Sequence, residues 1–259
     1  MGNIAIGLLI PFLGTTLGSA TVFLMKDRMN KRVQKLLLGF ASGVMMAASI
    51  WSLIIPAINM TEEQGKISWI PAAIGFLLGI AFLLVLDSII PHLHLESKKP
   101  EGIKSKLKNS TMMVLAVTLH NIPEGMAIGV AFGSIAYNLN GATLTSAVML
   151  AIGIGIQNFP EGSAVSLPLR REGMSRTKSF FFGALSGIVE PISAVIGAIL
   201  VLKVQILLPI LLSFAGGAMI YVVVQELIPE SQTNKKKDLM ALFTILGFLI
   251  MMIFDVALG

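Results

Sequence analysis

His120-Asn121-Ile122-Pro123-Glu124-Gly125-Met126-Ala127 and, 37 positions later, Gln157-Asn158-Phe159-Pro160-Glu161-Gly162-Ser163-Ala164 are near copies of one another. Asn, Pro, Glu, Gly and Ala recur in the same register. Each copy lies inside a long apolar run, so carboxylates, amides and one imidazole are placed where hydrocarbon is expected. A charged visitor is the simplest reason to keep them there.

The surroundings are those of a membrane. Of 259 residues, 55% are hydrophobic and only 13% charged, against about a quarter charged in a water-soluble domain. The mean hydropathy is +0.85. An apolar run of about 20 residues crosses a bilayer as a helix. Eight such runs are readable, at about 4–25, 35–58, 69–90, 111–137, 142–168, 176–201, 205–229 and 238–257. The expected fold is an all-α polytopic membrane protein, with residues 1–259 forming a single transmembrane domain.

The net charge of +5 is a topology signal rather than a nucleic-acid signal. Seventeen of the 19 basic residues fall in the odd-numbered loops: Lys26 to Lys35, Lys98 to Lys108, Arg170 to Lys178 and Lys235 to Lys237. Only Lys66 and Lys203 fall in the even ones. The positive-inside rule makes the odd loops cytoplasmic and both termini extracytoplasmic. The chain has no cysteine, which excludes thiolate ligands and disulfides. A compact, cysteine-free chain fits a bacterial inner membrane.

Internal repeats set the architecture. Leu211-Leu212-Ser213-Phe214-Ala215-Gly216-Gly217-Ala218-Met219 in span seven follows Leu37-Leu38-Gly39-Phe40-Ala41-Ser42-Gly43-Val44-Met45 in span two at a constant offset of 174. The same offset pairs Ser19-Ala20 of span one with Ser193-Ala194 of span six. Span eight echoes span three more loosely, Gly247-Phe248-Leu249 against Gly75-Phe76-Leu77. Spans one and six begin on opposite sides, as do the motif-bearing spans four and five. The expected arrangement is therefore a 3+2+3 inverted repeat, which places a substrate site near the midplane. Glycine steps at Gly39/Gly43, Gly75/Gly79, Gly125/Gly129/Gly133 and Gly183/Gly187 allow close helix approach.

His120, Asn121 and Glu124 share one helical face by their spacing of three and four, as do Gln157, Asn158 and Glu161. Pro123 and Pro160 each remove a backbone donor beside the carboxylate, and Glu190-Pro191 repeats the pairing on span six. An ionised carboxylate at the bilayer centre costs about 2.5–3.5 kcal/mol even on a lenient scale. No Lys or Arg lies at that depth. The carboxylates are thus protonated or paired with a cation, and imidazole, carboxylate and amide together suit Zn²⁺, with Fe²⁺, Mn²⁺ and Cd²⁺ also accommodated. Candidate pathway residues are Met45 and Ser52, on one face of span two with Ala48, and Asp87, His92, His94 and Glu226 toward the cytoplasm. Asp255 reads as interfacial.

The doubled motif on consecutive spans resembles the ZIP family of metal transporters, in its bacterial GufA-like branch, over essentially the whole chain. The resemblance implies eight helices in a 3+2+3 inverted repeat, often dimeric, moving Zn²⁺ and related ions into the cytoplasm. Carried over to this sequence it implies primary ligands at His120, Glu124, Gln157, Glu161 and Glu190. A second metal position would use Asn121 and Asn158 and share Glu124 and Glu161. Many relatives place His where this chain has Gln157, and some place Asp where it has Asn158, so the site here is softer on transition metals and one charge poorer.

The functional expectation is divalent-metal transport with zinc as cargo and no bound cofactor, in contact with the lipid bilayer, with a homodimer as the implied assembly. Alternating access would slide or rock the bundle holding spans four and five against spans two and seven. The alternative is a proton- or monovalent-cation-coupled transporter using the same carboxylates. An enzyme is not expected, because no His-Glu-x-x-His is present.

Overall fold

The computed structural model describes residues 2–24, 31–65, 67–93, 100–104, 108–136, 143–203, 207–232 and 237–258. His94 and the basic residues Lys26, Arg28, Lys66, Lys98, Lys99, Lys106, Lys235 and Lys236 lie outside these. Among the described residues there is no strand, only an isolated antiparallel bridge between His92 and Glu101.

Among the described residues, eight helical spans follow the apolar runs. Span one is Gly2–Leu24, span three Trp69–Ile89, span four Asn109–Ala136, span five Leu144–Arg171 and span eight Lys237–Leu258. Thr143 caps span five by accepting from the Ser146 amide at 3.0 Å, and Arg170 and Arg171 occupy its last turn, where cations oppose the helix dipole. Among the described residues, seven helical stretches are long and apolar enough to cross a membrane. Span five, at 28 residues, is long enough as well. It is less apolar because it carries Gln157, Asn158, Glu161, Ser163 and Ser166, all buried. The result is an all-helical polytopic membrane protein.

Three spans are less regular than their apolar runs suggest. Span two consists of Lys31–Ala48, a π-helical turn at Ser49–Ile54 and Ile55–Glu63. Span seven has the same construction: Leu208–Val222, a π turn at Val223–Leu227 and Ile228–Ser231. The cause is the proline that follows each turn, Pro56 and Pro229. Neither can donate to the carbonyl four residues back, and the ladder widens so that the Ile55 amide reaches Ile50 and the Ile228 amide reaches Val223. The two π turns begin at positions related by the offset of 174.

Span six is broken into Arg176–Ser186 and Val189–Lys203. Pro191 removes the donor for the Gly187 carbonyl, which accepts from the Glu190 amide at 3.0 Å instead. Spans four and five, by contrast, run as continuous helices through Pro123 and Pro160.

Four helix pairs dominate the packing: span one on five, four on the second half of six, two on eight, and three on seven. Exchanging one with six, two with seven, three with eight and four with five maps this set onto itself. Glycines make the contacts. A Cβ at Gly18 or Gly162 would meet the backbone of the partner span at Phe159 or Thr15, and one at Gly125 or Gly129 would meet Glu190 or Ala194. The small-residue steps therefore serve packing within the chain.

These contacts correct one sequence alignment. Gly43 lies against the Thr244 carbonyl while its repeat mate Gly217 lies against that of Phe76, and Gly247 lies against Phe40 while Gly79 lies against its mate Phe214. Thr244 therefore stands for Phe76, and Gly247 for Gly79 rather than Gly75. The offset of spans three and eight is 168. The Gly-Phe-Leu match is one helical turn out of register, a shift that leaves the apolar face unchanged.

Candidate metal site

Spans four and five bring the doubled motif to the centre of the bundle, and the break in span six brings Glu190 to it. Asn121, Glu124, Gln157, Asn158 and Glu190 are fully buried, and Glu161 and His120 are no more than 7% exposed. The carboxylates form a continuous series. Glu124 is within electrostatic reach of Glu161 and Glu190, and Glu161 is within reach of His120, Glu226 and Glu230.

Gln157 and Asn121 spend their donors and keep their oxygens, whereas Asn158 accepts from Gln157 Nε2 at 3.4 Å and keeps its donor. Gln157 Nε2 donates to Glu124 Oε1 at 2.6 Å. Asn121 Nδ2 donates to the Ser186 carbonyl at 3.1 Å, clamping the end of the first half of span six. Asn158 lies near both Glu124 and Glu190 without a well-aligned bond from its Nδ2. On span one, Thr15 Oγ1 donates to Glu190 Oε1 at 2.9 Å. Left buried with no partner among the described residues are Glu124 Oε2, both oxygens of Glu161, Glu190 Oε2, Asn121 Oδ1 and Gln157 Oε1. Buried polar atoms are normally satisfied. Six unspent oxygens around three carboxylates describe a cradle for a cation.

The candidate ligands do not converge as one chelate in this conformation. Among the described residues, no three His, Asp or Glu side chains close on a single point. His120 turns away from Glu124 to Glu226, Nε2 to Oε1 at 2.6 Å. Beside this pair lies a cavity of about 30 Å³ lined by His120, Glu161, Glu226 and Glu230, room for one water-sized body.

The pathway candidates separate into two groups. Asp87 accepts from the Tyr221 hydroxyl at 3.0 Å and lies 3.9 Å from His92 Nε2. His92 is buried rather than solvated, because the chain after span three folds back, with Leu93 bonded to the Met112 carbonyl. At the opposite end, Ser52 Oγ donates to Asp255 Oδ1 at 2.6 Å. Both line a cavity of about 260 Å³ with Asn59, Ser134 and Ser146. Asp255 is thus drawn into this cavity and half-buried. Met45, about two turns from Ser52, is sealed in the apolar core. In the corrected register Asp255 is the mate of Asp87, and Ser52 that of Glu226.

Thr15, Tyr221 and Glu230 have no motif around them and were not legible as site residues. The only signal for Asp255 was its relation to Asp87, hidden by the one-turn misalignment.

A helical membrane bundle with an anionic, amide-lined centre defines a cation-handling membrane protein. A family model described as ZIP Zinc transporter matches residues 96–255. The chain is 37% identical to zinc transporter ZIP11 of Xenopus tropicalis over 98% of this chain and 96% of that protein. It is 35% identical to zinc transporter GufA of Myxococcus xanthus over the full length of both. Identity to zinc transporter ZIPB of Bordetella bronchiseptica is also 35%, over all of this chain and 82% of that one. The chain belongs to the ZIP family of zinc transporters.

Proposed function

We propose that this chain carries divalent transition-metal ions, zinc foremost, across the membrane toward the cytoplasm, through a midplane site formed by His120, Asn121, Glu124, Gln157, Asn158, Glu161 and Glu190. The observation that carries the reading is the set of unspent carboxylate and amide oxygens at the bundle centre. Relatives along the whole chain are named as zinc transporters rather than enzymes. Neither the relatives nor the imidazole at His120 favours the proton or monovalent-cation alternative.

The protein acts as one transporter domain, 1–259, in a 3+2+3 inverted repeat. The reading is supported by the self-mapping helix pairs and the paired π turns. Spans one, four, five and six pack on one another, as do two, three, seven and eight, and the groups meet chiefly where span two touches five and span four touches seven, with a smaller contact of span eight on five. Sliding along those two seams exposes the site to each side in turn. The Asp255 cavity serves as outer inlet, and Glu226, Asp87 and His92 as the inner route. The chain resides in a bacterial inner membrane with both termini extracytoplasmic. Absence of native cysteine allows a clean test. Glu63→Cys is expected to react with an impermeant maleimide added outside intact cells, and Glu172→Cys only after permeabilisation; the reverse pattern overturns the topology.

The function itself is tested by saturable ⁶⁵Zn²⁺ uptake into proteoliposomes of purified protein, with Cd²⁺, Fe²⁺ and Mn²⁺ as competitors. Uptake that a hundredfold excess of Mg²⁺ leaves intact and Cd²⁺ suppresses is the expected result. Uptake of protons or Na⁺ without any divalent flux sinks the proposal.

A further inference from the structure

Span one contributes nothing to the doubled motif, yet one of its side chains reaches the heart of the site. We propose that Thr15 is a positioning residue of the transport site: its hydroxyl fixes one oxygen of Glu190 and aims the other at the ion. The inference rests on the reading of Glu190 as a ligand.

Buried Ser and Thr hydroxyls in helices ordinarily fold back onto the carbonyl four residues earlier. In this bundle Ser19, Ser49, Thr118 and Ser134 all do so, at 2.8, 2.7, 2.8 and 2.6 Å. Thr15 does otherwise, as Ser52 does toward Asp255. Its own carbonyl, Pro11, is 3.4 Å away, while Glu190 Oε1 is at 2.9 Å. A hydroxyl has one proton to give, and the shorter contact goes to the carboxylate.

The backbone makes room for this meeting. A Cβ at residue 187 would lie against both the Thr15 side chain and Glu190 Oε1. The glycine at the break of span six therefore opens the space in which hydroxyl and carboxylate touch. Glu190 lies in the first turn after that break, where the preceding helix no longer sets its direction. With Oε1 held by Thr15, Oε2 is left buried and without a partner among the described residues. One oxygen tethered and one presented is the arrangement by which an outer-shell hydrogen bond orients a metal ligand, and losing such a partner typically lowers metal affinity about 10–100-fold.

The test is Zn²⁺ binding by equilibrium dialysis of detergent-purified Thr15→Val, Thr15→Ser, Glu190→Gln and the double variant Thr15→Val/Glu190→Gln, each checked for monodispersity. Valine preserves the shape of threonine and removes only the donor; Thr15→Ala stands in should valine fail to fold. Thr15→Val is expected to raise Kd about 10-fold or more, and Thr15→Ser to restore it to near the parent value. In the Glu190→Gln background the same change should add nothing, since coupled residues are non-additive. An unchanged Kd in Thr15→Val, a Thr15→Ser variant as weak as Thr15→Val, or full additivity in the double variant overturns the inference and leaves Thr15 a packing residue. A Glu190→Gln protein that binds Zn²⁺ normally overturns the ligand reading itself, and this inference with it, whatever Thr15→Val does.

Discussion

Glu161→Gln is expected to lower kcat/KM for Zn²⁺ uptake by about 100-fold or more, equivalent to about 2.7 kcal/mol of lost stabilisation, in a protein that remains folded. Glu161 is the one carboxylate of the three with neither oxygen committed to a donor among the described residues. It also stands between the Glu124–Glu190 pair and the His120–Glu226 pair. An ion passing from one to the other meets it on the way. Glutamine has nearly the same shape and no charge, so the substitution separates two roles. If Glu161 were a protonated acid gluing helices together, exchanging one neutral group for another would leave flux nearly unchanged.

The stability of the variant gives a second readout with the opposite sign. A buried carboxylate without a counter-charge destabilises the metal-free fold, so Glu161→Gln should melt no lower than the parent and gain in Tm. Zn²⁺ should raise the Tm of the parent, because a ligand that binds only the folded state stabilises it, and should fail to raise that of the variant. Near-normal uptake, or a full zinc-induced shift in Tm, would remove Glu161 from the site.

The doubled motif made spans four and five readable as the centre of the chain, since a carboxylate in an apolar run has few explanations. The positions of the eight spans were equally readable, because length and apolarity suffice. The repeat between spans two and seven was legible down to Met45 and Met219, but the π turns that follow were not. Pro56 and Pro229 announce a lost hydrogen bond without saying whether the helix will break, bend or widen. Pro123, Pro160 and Pro191 make the point: two helices continue and one is interrupted, and the difference at Pro191 is the adjoining Gly187. The register of spans three and eight was misread because a shift of one turn conserves the apolar face. Thr15 was invisible for a related reason. A hydroxyl in a helix can satisfy itself on its own backbone, and only the packing of span one against the break in span six shows that Thr15 turns to a carboxylate instead.

The close approach of spans four and six makes a sharp demand on sequence outside the proposed site. Gly129→Val is expected to abolish most of the folded protein, while Gly133→Ala one turn further on is expected to be tolerated. At residue 129 a Cβ would fall on the backbone of Ala194, touching its oxygen, carbonyl carbon and Cα. A backbone has no rotamer to change, so the two helices must separate. Overpacking of this kind typically costs about 1–3 kcal/mol and at times more, and here it also withdraws the small-residue contact that holds helices together in lipid. At residue 133 the nearest atom would be the Ala198 Cα at 3.1 Å, a contact that a shift of a few tenths of an ångström relieves. Ala194 is one turn beyond Glu190, and Gly129 little more than one turn beyond Glu124. Parting the helices there moves two carboxylates of the proposed site away from each other. Size-exclusion profile, Tm and zinc-binding stoichiometry of the two variants in detergent decide the matter. A monodisperse Gly129→Val protein with parental Tm and full zinc binding would mean that spans four and six do not touch as described.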